Sequence, residues 1–421
     1  MKVLFVGNHS CSNRGDAAIT RGLLEYFKKY DIEQEVYSRF PNGASEILGT
    51  EVLADPTDIS PAPKSFLKKI VDKIAWKLNF DPETLLLIGS HYVPFLQNFV
   101  SSDIKKMLEA TKQGDAVVQV GGSFFVDLYG MSQYRLLACA ILTKTPAILI
   151  GHSLGPFEGW QYSKVAGWCL RRATSIVVRD DVSIKLVEEK YPDLKYISGA
   201  DTAWLVPSQP AEHRENVVAI TVRELAPFDK RLGIAQAEYE DKMANLVEWL
   251  VGRGLKVRFF STCTSFDNYH KDDRKVAQSI YEQLPTTIKD QVTVVWDELD
   301  DVQLGQELAK CKFTIGTRLH STIISMNFGV PAIAIGYEHK SQGLYSAMGL
   351  SDFIIDLEGF DLDALKRQAV QLDENNEELT ERFSQAVAKQ RTIAVTACDE
   401  SLKGILGESK THVHEYAANS H

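Results

Sequence analysis

Short runs rich in Val and Ile alternate with helical patterns along the chain, and this alternation constrains the fold more than any other feature. The runs are apolar throughout, so both faces of each predicted strand are expected to be covered. Strands that alternate with helices in this way are typical of a parallel sheet with helices on both sides. The sequence therefore predicts an α/β protein.

The predicted strands form two series. The first series is KVLFVG, QEVYSRF, AVVQVGG, PAILIGHS, SIVVRD and KYISGAD, and the second is VVAITVREL, KVRFFSTC, VTVVWDEL, CKFTIGTR, PAIAIGYE and FIIDLEG. Between them, the polar segment PSQPAEHREN at 207–216 carries two prolines and predicts a linker. A chain of 421 residues is too long for one core. We therefore expect two Rossmann-like domains facing a cleft, over 1–206 and 217–405, and a flexible tail over 406–421.

Composition excludes several classes of protein. The net charge of −10 argues against a nucleic-acid partner, which would require a basic face. The six cysteines are scattered without a CxxC pair, so we expect reduced thiols, no zinc site and a cytoplasmic protein. MKVLFVG is too short for the core of a secretory leader, and no apolar run approaches the length of a membrane span.

The first candidate site lies where the strand FTIG passes into the helical run STIISMNF. Arg318 and His320 occupy this junction, and the helix is expected to begin near Leu319. An arginine fork matches carboxylate and phosphate, and a helix N-terminus adds backbone N–H groups. A single arginine at a strand end is usually solvated or ion-paired, but Arg223 follows a second strand, VVAITV. The pattern predicts a basic pocket for a small anion, with His320 as a proton donor.

The loops after the strands of the first half offer further candidates, each with a structural alternative. Asp16 opens a helix and would also serve as its N-cap. Gly121 and Gly122 before Ser123 fit either close ligand approach or a tight turn, and His152 fits either a structural or a catalytic role. The first loop lacks GxGxxG, so it does not predict binding of a dinucleotide.

Five motifs together resemble one known family. They are GNHSCSNRGDAAI, VQVGGSFFVDLYG, TVRELAPFDKRLG, STCTSFDNYHKDDR and GTRLHSTIISMNF. In this order they are similar to the polysaccharide pyruvyl transferases, most closely to the colanic-acid-biosynthesis type. The resemblance implies a GT-B-like arrangement of two domains, with phosphoenolpyruvate as donor substrate and no cofactor or metal. It also implies a pair of hydroxyls on a hexose as acceptor, a cyclic pyruvate ketal as product and release of phosphate.

The resemblance also assigns roles to residues of this sequence. It ties Arg318 and His320 to donor binding and catalysis, and Arg223 to donor binding. We add Leu319 to the donor site, and we predict that Asn13, Arg14, Ser123 and His152 bind the acceptor. We choose His320 as the acid. The base for the sugar hydroxyl is Asp16 or Asp127, and the sequence does not choose between them.

Two other functions are compatible with the same sequence features. A nucleotide-sugar glycosyltransferase would use the same architecture to transfer a sugar instead of pyruvate. A sugar-phosphate binding module without enzymatic activity would need the anion pocket but not His320.

A last prediction concerns PKSFLKKIVDKIAWKL, residues 63–78. This stretch places an apolar stripe beside five lysines, as in helices that lie in a membrane interface. It predicts peripheral contact with the inner face of the membrane, where a lipid-linked oligosaccharide acceptor would be assembled. The alternative is a helix packed on the first domain.

Overall fold

The computed structural model describes residues 1–58, 81–226, 229–337 and 339–406. Within these ranges, two sheets are formed, and every strand pair in them is parallel. The strands of the first sheet are β1 (Lys2–Asn8), β2 (Glu33–Ser38), β3 (Val52–Ala54), β4 (Ala116–Phe125), β5 (Ala147–Leu154), β6 (Ser175–Val178) and β7 (Ile197–Ser198). Those of the second sheet are β8 (Val217–Thr221), β9 (Lys256–Phe260), β10 (Val292–Val294), β11 (Phe313–Gly316), β12 (Ala332–Gly336) and β13 (Ile354–Asp356).

Strand order places one reversal point in each sheet. The first sheet has the order β3-β2-β1-β4-β5-β6-β7, and the second has β10-β9-β8-β11-β12-β13. The order therefore reverses between β1 and β4 and between β8 and β11. In open parallel sheets, ligands bind beyond the carboxyl ends of the strands at such reversal points.

Helices cover both sheets. Those of the first half are α1 (Arg14–Phe27), α2 (Pro41–Leu48), α3 (Pro82–Gly89), α4 (Ser102–Gln113), α5 (Arg135–Thr143), α6 (Trp160–Leu170) and α7 (Asp181–Lys190). Those of the second half are α8 (Asp229–Leu232), α9 (Gln236–Gly252), α10 (Asp273–Gln283), α11 (Asp301–Ala309), α12 (Leu319–Asn327), α13 (His339–Ala347), α14 (Leu362–Glu374) and α15 (Asn376–Leu406). Short 3-10 turns include Pro94–Phe99, Asp127–Tyr129 and Thr202–Leu205.

The last helix, α15, returns to the first domain. Ala397 packs beside Gly199 at the end of β7, and Gly404 lies beside Thr174. Asp399 accepts hydrogen bonds from Lys29 at 3.0 Å and from the Tyr26 hydroxyl. The prediction of a second domain over 217–405 did not anticipate this return, because the sequence of α15 does not specify which sheet its apolar side covers.

The predicted linker over 207–216 is held against its surroundings. Arg214 donates hydrogen bonds to Thr380 at 3.0 Å and to the carbonyl oxygen of Gly329. Arg391 of α15 reaches Ser208 at 3.1 Å. These contacts fix the segment that connects the two sheets.

The fold prediction is confirmed, because both parallel sheets are present and all twelve predicted strands appear in them. The sequence did not predict β3, whose apolar run is only three residues long. Residues 63–78 lie outside the described residues, as do the positions beyond Leu406. In the described part of the chain, no helix combines the length and the apolar character that crossing a membrane requires.

Candidate functional site

The residues predicted for the site follow strands on either side of the two reversal points. Asp16 lies beyond β1 and Ser123 near the end of β4, whereas Arg223 follows β8 and Arg318 follows β11. The loop after β1 also contacts the second half directly, since Asn13 forms an isolated antiparallel bridge with Cys263. Groups from both sheets can therefore meet in one cluster.

Arg318 is held by a buried carboxylate. Its Nε and Nη2 donate hydrogen bonds of 2.6 and 2.8 Å to the two oxygens of Asp273, whose side chain is 1% exposed. Asp273 is fixed in turn because its Oδ2 accepts a hydrogen bond of 3.1 Å from the backbone N–H of Cys263. Burial disfavours the charged guanidinium, but the facing carboxylate outweighs this effect and raises the pKa of Arg318. Arg318 therefore carries a fixed orientation and a permanent positive charge.

The helix that follows Arg318 offers backbone donors. Arg318 is the N-cap of α12, and within the described residues no side chain caps the first N–H groups of that helix. Leu319 and His320 lie in the first turn and are partly exposed. Uncapped N–H groups and the positive end of the helix dipole are suited to binding an anion.

His320 is oriented by a carboxylate from the other half of the chain. Its Nε2 lies 3.3 Å from Oδ2 of Asp201, which also pairs with Arg179. Burial would raise the pKa of Asp201, but Arg179 and His320 outweigh burial and lower it well below its usual range. Asp201 is thus a fixed negative charge. A carboxylate that accepts from one ring nitrogen of histidine orients the ring and leaves the other nitrogen for a second partner.

The ring of His320 also packs against Gly15 in the first turn of α1. A Cβ at position 15 would lie 2.6 Å from Cγ of His320 and 2.8 Å from its Nδ1. Any larger residue would displace the imidazole. Glycine at position 15 is therefore required for the close contact between the two halves at the site.

Asp16 lies next to this contact. Burial raises its pKa to about 6, although His320, the Asn13 side chain, Arg179 and Arg318 oppose the shift. The carboxyl of Asp16 therefore shares one electrostatic environment with both His320 and Arg318. A carboxyl that titrates near neutrality is suited to accepting a proton from a substrate hydroxyl.

Arg223 supplies a second cation. Its guanidinium stacks over the ring of Tyr337, 4.2 Å from the centroid, and its Nε donates a hydrogen bond of 3.0 Å to the carbonyl oxygen of Glu224. The side chain is buried at the carboxyl edge of the second sheet. Stacking on an aromatic ring fixes the plane of the guanidinium.

A cavity of about 800 Å³ lies between the two halves. Its walls include Ser123, Leu128, Tyr129, Leu154, Arg231, Tyr337 and Lys340. Ser123 accepts a hydrogen bond of 2.9 Å from Arg179, and Tyr337 supports Arg223. These two residues join the cavity to the cluster around His320 and Arg223.

Aromatic rings from both halves surround His9 in the loop after β1. The imidazole stacks on Phe124 at a centroid distance of 5.9 Å and meets the ring of Tyr269 at 6.2 Å. Burial, with smaller contributions from Arg39 and His270, lowers the pKa of His9 to about 4. His9 is therefore neutral at physiological pH and acts as a packing ring.

Arg14, predicted to bind the acceptor, is fully buried at the contact between the halves. Its guanidinium donates to Glu298 and to the carbonyl oxygens of Leu299 and Cys11. Asn13 accepts a hydrogen bond of 3.1 Å from the N–H of Gly15 and so caps α1. These contacts favour a structural role for both residues, and their predicted contact with the acceptor is untested.

Replacing Arg14 with methionine is expected to lower the free energy of unfolding by about 2–3 kcal/mol, because two carbonyl oxygens lose a donor and Glu298 loses one of its three partners. Chemical denaturation measures the change. Arg258→Met is the matched control, since Arg258 pairs with Glu215, whose side chain is 50% exposed. Wild-type stability of Arg14→Met together with loss of acceptor turnover would instead support the acceptor-binding role.

His152 and the glycine pair are placed inside the first domain. The imidazole of His152 is fully buried, its Nε2 lies 3.1 Å from the carbonyl oxygen of Gln119, and burial lowers its pKa to about 3. A Cβ at Gly121 would lie 2.5 Å from the carbonyl oxygen of Gly151 on the neighbouring strand. These positions favour the structural alternative for His152 and for the glycines, because neither feature faces the cavity.

The carboxylate of Asp127 forms hydrogen bonds with the backbone just before α6. Its Oδ2 accepts hydrogen bonds from the backbone N–H groups of Glu158 at 2.5 Å and Gly159 at 3.4 Å. Burial raises its pKa, and the cations that surround Asp16 are absent from the charges that act on it. Of the two carboxyls between which the sequence did not choose, Asp16 has the closer electrostatic link to His320.

The sequence alone did not single out Asp201, Arg179 and Asp273. Two of them follow strands, Arg179 after β6 and Asp201 three residues after β7. The rule that directed attention to strand ends would have found both. Among the described residues, no group of three His, Cys, Asp or Glu side chains is arranged to hold a metal ion.

Comparison with known families identifies the chain. The model of the family "Polysaccharide pyruvyl transferase" matches residues 13–339. The chain belongs to the polysaccharide pyruvyl transferase family. A relative, the amylovoran biosynthesis protein AmsJ of Erwinia amylovora, is 40% identical over 96% of this chain and 100% of its own length. The resemblance at family level is thus confirmed. The finer resemblance to the colanic-acid type is not supported, because this relative is named for amylovoran.

Solved structures share the fold at low identity. A UDP-GlcNAc 2-epimerase of Neisseria meningitidis aligns with a TM-score of 0.56 and 13% identity over 96% of this chain and 99% of its own. HepE of Anabaena, solved with UDP-glucose, aligns with a TM-score of 0.54 and 12% identity over 96% and 98%. At this identity the likeness establishes the GT-B fold alone.

Proposed function

We propose that this member of the pyruvyl transferase family transfers the pyruvyl group of phosphoenolpyruvate to two hydroxyls of a hexose in an exopolysaccharide repeat unit. The acceptor is a repeat unit linked to a lipid carrier at the cytoplasmic face of the membrane. The observation that carries the proposal is the pairing of His320 with Asp201 beside two oriented arginines, in a cleft of a chain that belongs to this family.

Two oriented arginines match the two anionic groups of the donor. Phosphoenolpyruvate carries a phosphate and a carboxylate, and each group takes paired hydrogen bonds from a guanidinium. Arg318 uses Nε and Nη2 for Asp273, which leaves Nη1 and the N–H groups of Leu319 and His320 for one anion. We assign the second anionic group to Arg223, whose guanidinium stacks on the ring of Tyr337.

The chemistry needs one acid and one base. A proton from His320 is added to the methylene carbon of the donor, and C2 becomes oxocarbenium-like. One sugar hydroxyl attacks C2 and gives its proton to the base. Phosphate then leaves with its bonding electrons, and the second hydroxyl attacks C2 and loses its proton to close the ketal ring. Of the two hydroxyl protons, one replaces the proton of His320 and the other leaves with phosphate.

Asp16 is the base in this proposal. Its raised pKa, about 6, leaves it ionised at neutral pH but basic enough to accept a proton. Asp201 contacts Nε2 of His320, whereas Asp16 directly follows Gly15, which packs against Cγ and Nδ1 of the same ring. We therefore assign the acid role to His320 and the base role to Asp16.

Donor binding gives the first test. Phosphoenolpyruvate should raise the Tm of the protein, and Arg318→Lys should reduce that shift and lower kcat/KM for the donor at least ~10-fold. A lysine keeps the charge but does not pair with Asp273 and an anion at once. The measurements are thermal unfolding with donor and steady-state release of phosphate.

Arg258→Lys is the matched control, since Arg258 lies outside the cluster and pairs with Glu215. A Tm shift with UDP-glucose but none with phosphoenolpyruvate would favour the nucleotide-sugar glycosyltransferase instead. The repeat units of colanic acid and of amylovoran are each tried as acceptor. If the protein binds the donor but releases no phosphate with either of them, the binding module is favoured.

A further inference from the structure

One side of α6 presents aromatic and cationic side chains in turn. Trp160, Lys164, Trp168 and Arg172 recur every four residues, so they follow one side of the helix and the turn beyond it. The ammonium of Lys164 lies 4.8 Å from the ring centroid of Trp160, and the guanidinium of Arg172 lies 4.6 Å from that of Trp168. Trp160 is 70% exposed, which is an unusual position for a tryptophan.

A second apolar segment adjoins this helix. Tyr92, Val93, Phe95 and Phe99 are each more than half exposed, at 64%, 51%, 66% and 61%. Leu96 anchors the segment, because it packs over Gly89 at the end of α3, where a Cβ would lie 3.2 Å from its Cδ1.

The segment and the helix form one surface. The Trp168 indole N–H donates a hydrogen bond of 2.9 Å to the Tyr92 hydroxyl, and His91 contacts the same indole ring at 5.4 Å. We call this surface the aromatic face. It consists of Tyr92, Val93, Phe95, Phe99, Trp160, Lys164, Trp168 and Arg172.

The aromatic face carries positive charge. Lys105 donates to the carbonyl oxygen of Asn98 at 2.9 Å, so it remains a cation beside the segment. The neighbouring Lys106 and Arg171 are neutralised by Asp103 and Asp193. Glu158, next to Trp160, is an exposed acid on this side, and the exposed Glu109 lies one helical turn after Lys105. Lys164 and Arg172 lie on the aromatic face itself, each over a tryptophan ring, although the chain as a whole has a charge of −10.

The aromatic face begins at the mouth of the cavity. Asp127 binds the backbone N–H groups of Glu158 and Gly159 directly before Trp160. Leu128 and Tyr129, which follow Asp127, line the cavity between the halves and are 59% and 48% exposed. A surface that binds the aromatic face would thus lie beside the entrance to the cleft.

We propose that the aromatic face docks the protein on an anionic lipid surface. Tryptophan and tyrosine occupy the interface of a bilayer because their rings are apolar and their N–H and O–H groups are polar. Lysine and arginine among them attract anionic headgroups. The proposal does not depend on the pyruvyl transfer proposed above, since adsorption is measured without turnover.

Vesicle co-sedimentation of the full chain tests the proposal. The protein should bind vesicles of phosphatidylcholine mixed with phosphatidylglycerol, bind pure phosphatidylcholine weakly, and dissociate as salt is raised. Lys164→Glu/Arg172→Glu should lower the partition coefficient at least ~20-fold, since two attractive charges are reversed. Phe95→Ser/Trp160→Ser should lower binding even at low salt.

Matched controls lie in the second half and on α15. Lys275→Glu/Lys389→Glu reverses two exposed lysines elsewhere and should bind nearly as well as wild type. Trp296 is another exposed tryptophan, and its ring centroid lies 5.5 Å from the Arg274 guanidinium. The variant Trp296→Ser should bind vesicles as well as wild type does. Unchanged Tm in each variant shows that the fold is intact.

Three results would overturn the proposal. The first is absence of binding to anionic vesicles at low salt. The second is wild-type binding by both aromatic-face variants. If Lys68→Glu/Lys69→Glu/Lys73→Glu then abolishes binding, residues 63–78 bind the membrane instead of the aromatic face. The third is concentration-dependent self-association in sedimentation velocity that the aromatic-face variants remove, because the surface would then be an interface between copies of this chain.

Discussion

Replacing His320 with alanine is expected to lower turnover by about 10²–10⁴-fold, the usual contribution of a positioned acid. Donor affinity should change much less, because Arg318 and Arg223 keep their own supports, Asp273 and Tyr337. Release of phosphate in the presence of acceptor measures turnover, and calorimetry with phosphoenolpyruvate measures affinity.

His213→Ala is the matched control, since His213 is exposed in the linker and should keep full activity. Asp201→Asn should lower turnover while leaving donor affinity intact, because Asn keeps the shape of Asp201 but removes the charge that orients His320. If calorimetry shows that donor binding disappears in His320→Ala, His320 is a ligand of the donor and the acid lies elsewhere.

Replacing Asp16 with asparagine is expected to lower turnover by roughly 10²-fold or more, because the amide does not accept the hydroxyl proton. The wild-type rate should rise with pH as Asp16 ionises near its pKa of about 6, and this limb of the profile should disappear in the variant. The pH dependence of kcat/KM for the acceptor is the measurement. A profile unchanged by the substitution would contradict the assignment.

The same substitution should increase stability. The folded protein keeps the Asp16 proton up to about pH 6, whereas the unfolded chain releases it near pH ~4. Between these values the folded state binds more protons, so stability falls as pH rises. Above pH ~6, Asp16→Asn should be more stable than wild type by up to about 3 kcal/mol, and the difference should vanish below pH ~4.

Asp181→Asn is the control for both effects. Asp181 also lies in the first turn of a helix but is exposed, so its substitution tests the contribution of the helix dipole alone. If Asp181→Asn stabilises the protein as much as Asp16→Asn does, burial is not the cause of the stabilisation.

The arrangement of strands was predictable because it depends on local composition. Runs of Val and Ile can only be buried on both faces, and PSQPAEHREN has no apolar side, so the division into two sheets followed directly. The path of α15 was not predictable, because its contacts with Gly199 and Thr174 depend on a docking surface that the local sequence does not contain.

Some of the site residues were predictable because the carboxyl ends of parallel strands lie at the same edge of a sheet. Arg318 and His320 share a junction, and Arg223 and Asp16 follow other strands at the reversal points. The sequence could not indicate which of these side chains form hydrogen bonds or ion pairs within the protein and are therefore not available to a substrate. Arg14 was predicted to bind the acceptor, but its guanidinium donates hydrogen bonds at the contact between the halves.

The same limitation explains the residues that were overlooked. Asp201 follows a strand of only two residues, β7, and acquires its importance from His320, which is 119 positions further along the chain. Asp273 lies in a segment rich in charge, where nothing local distinguishes it from Asp272. Pairing across such distances is a property of the folded chain.

Transfer of the pyruvyl group itself is the most direct test of the central claim. A purified exopolysaccharide repeat unit is incubated with the protein and phosphoenolpyruvate, and its mass is recorded together with the phosphate released. We expect a gain equal to pyruvic acid less one water and one phosphate per ketal, with both products formed at least ~10²-fold more slowly by His320→Ala. A mass gain that requires a nucleotide sugar, and none with phosphoenolpyruvate, would contradict it.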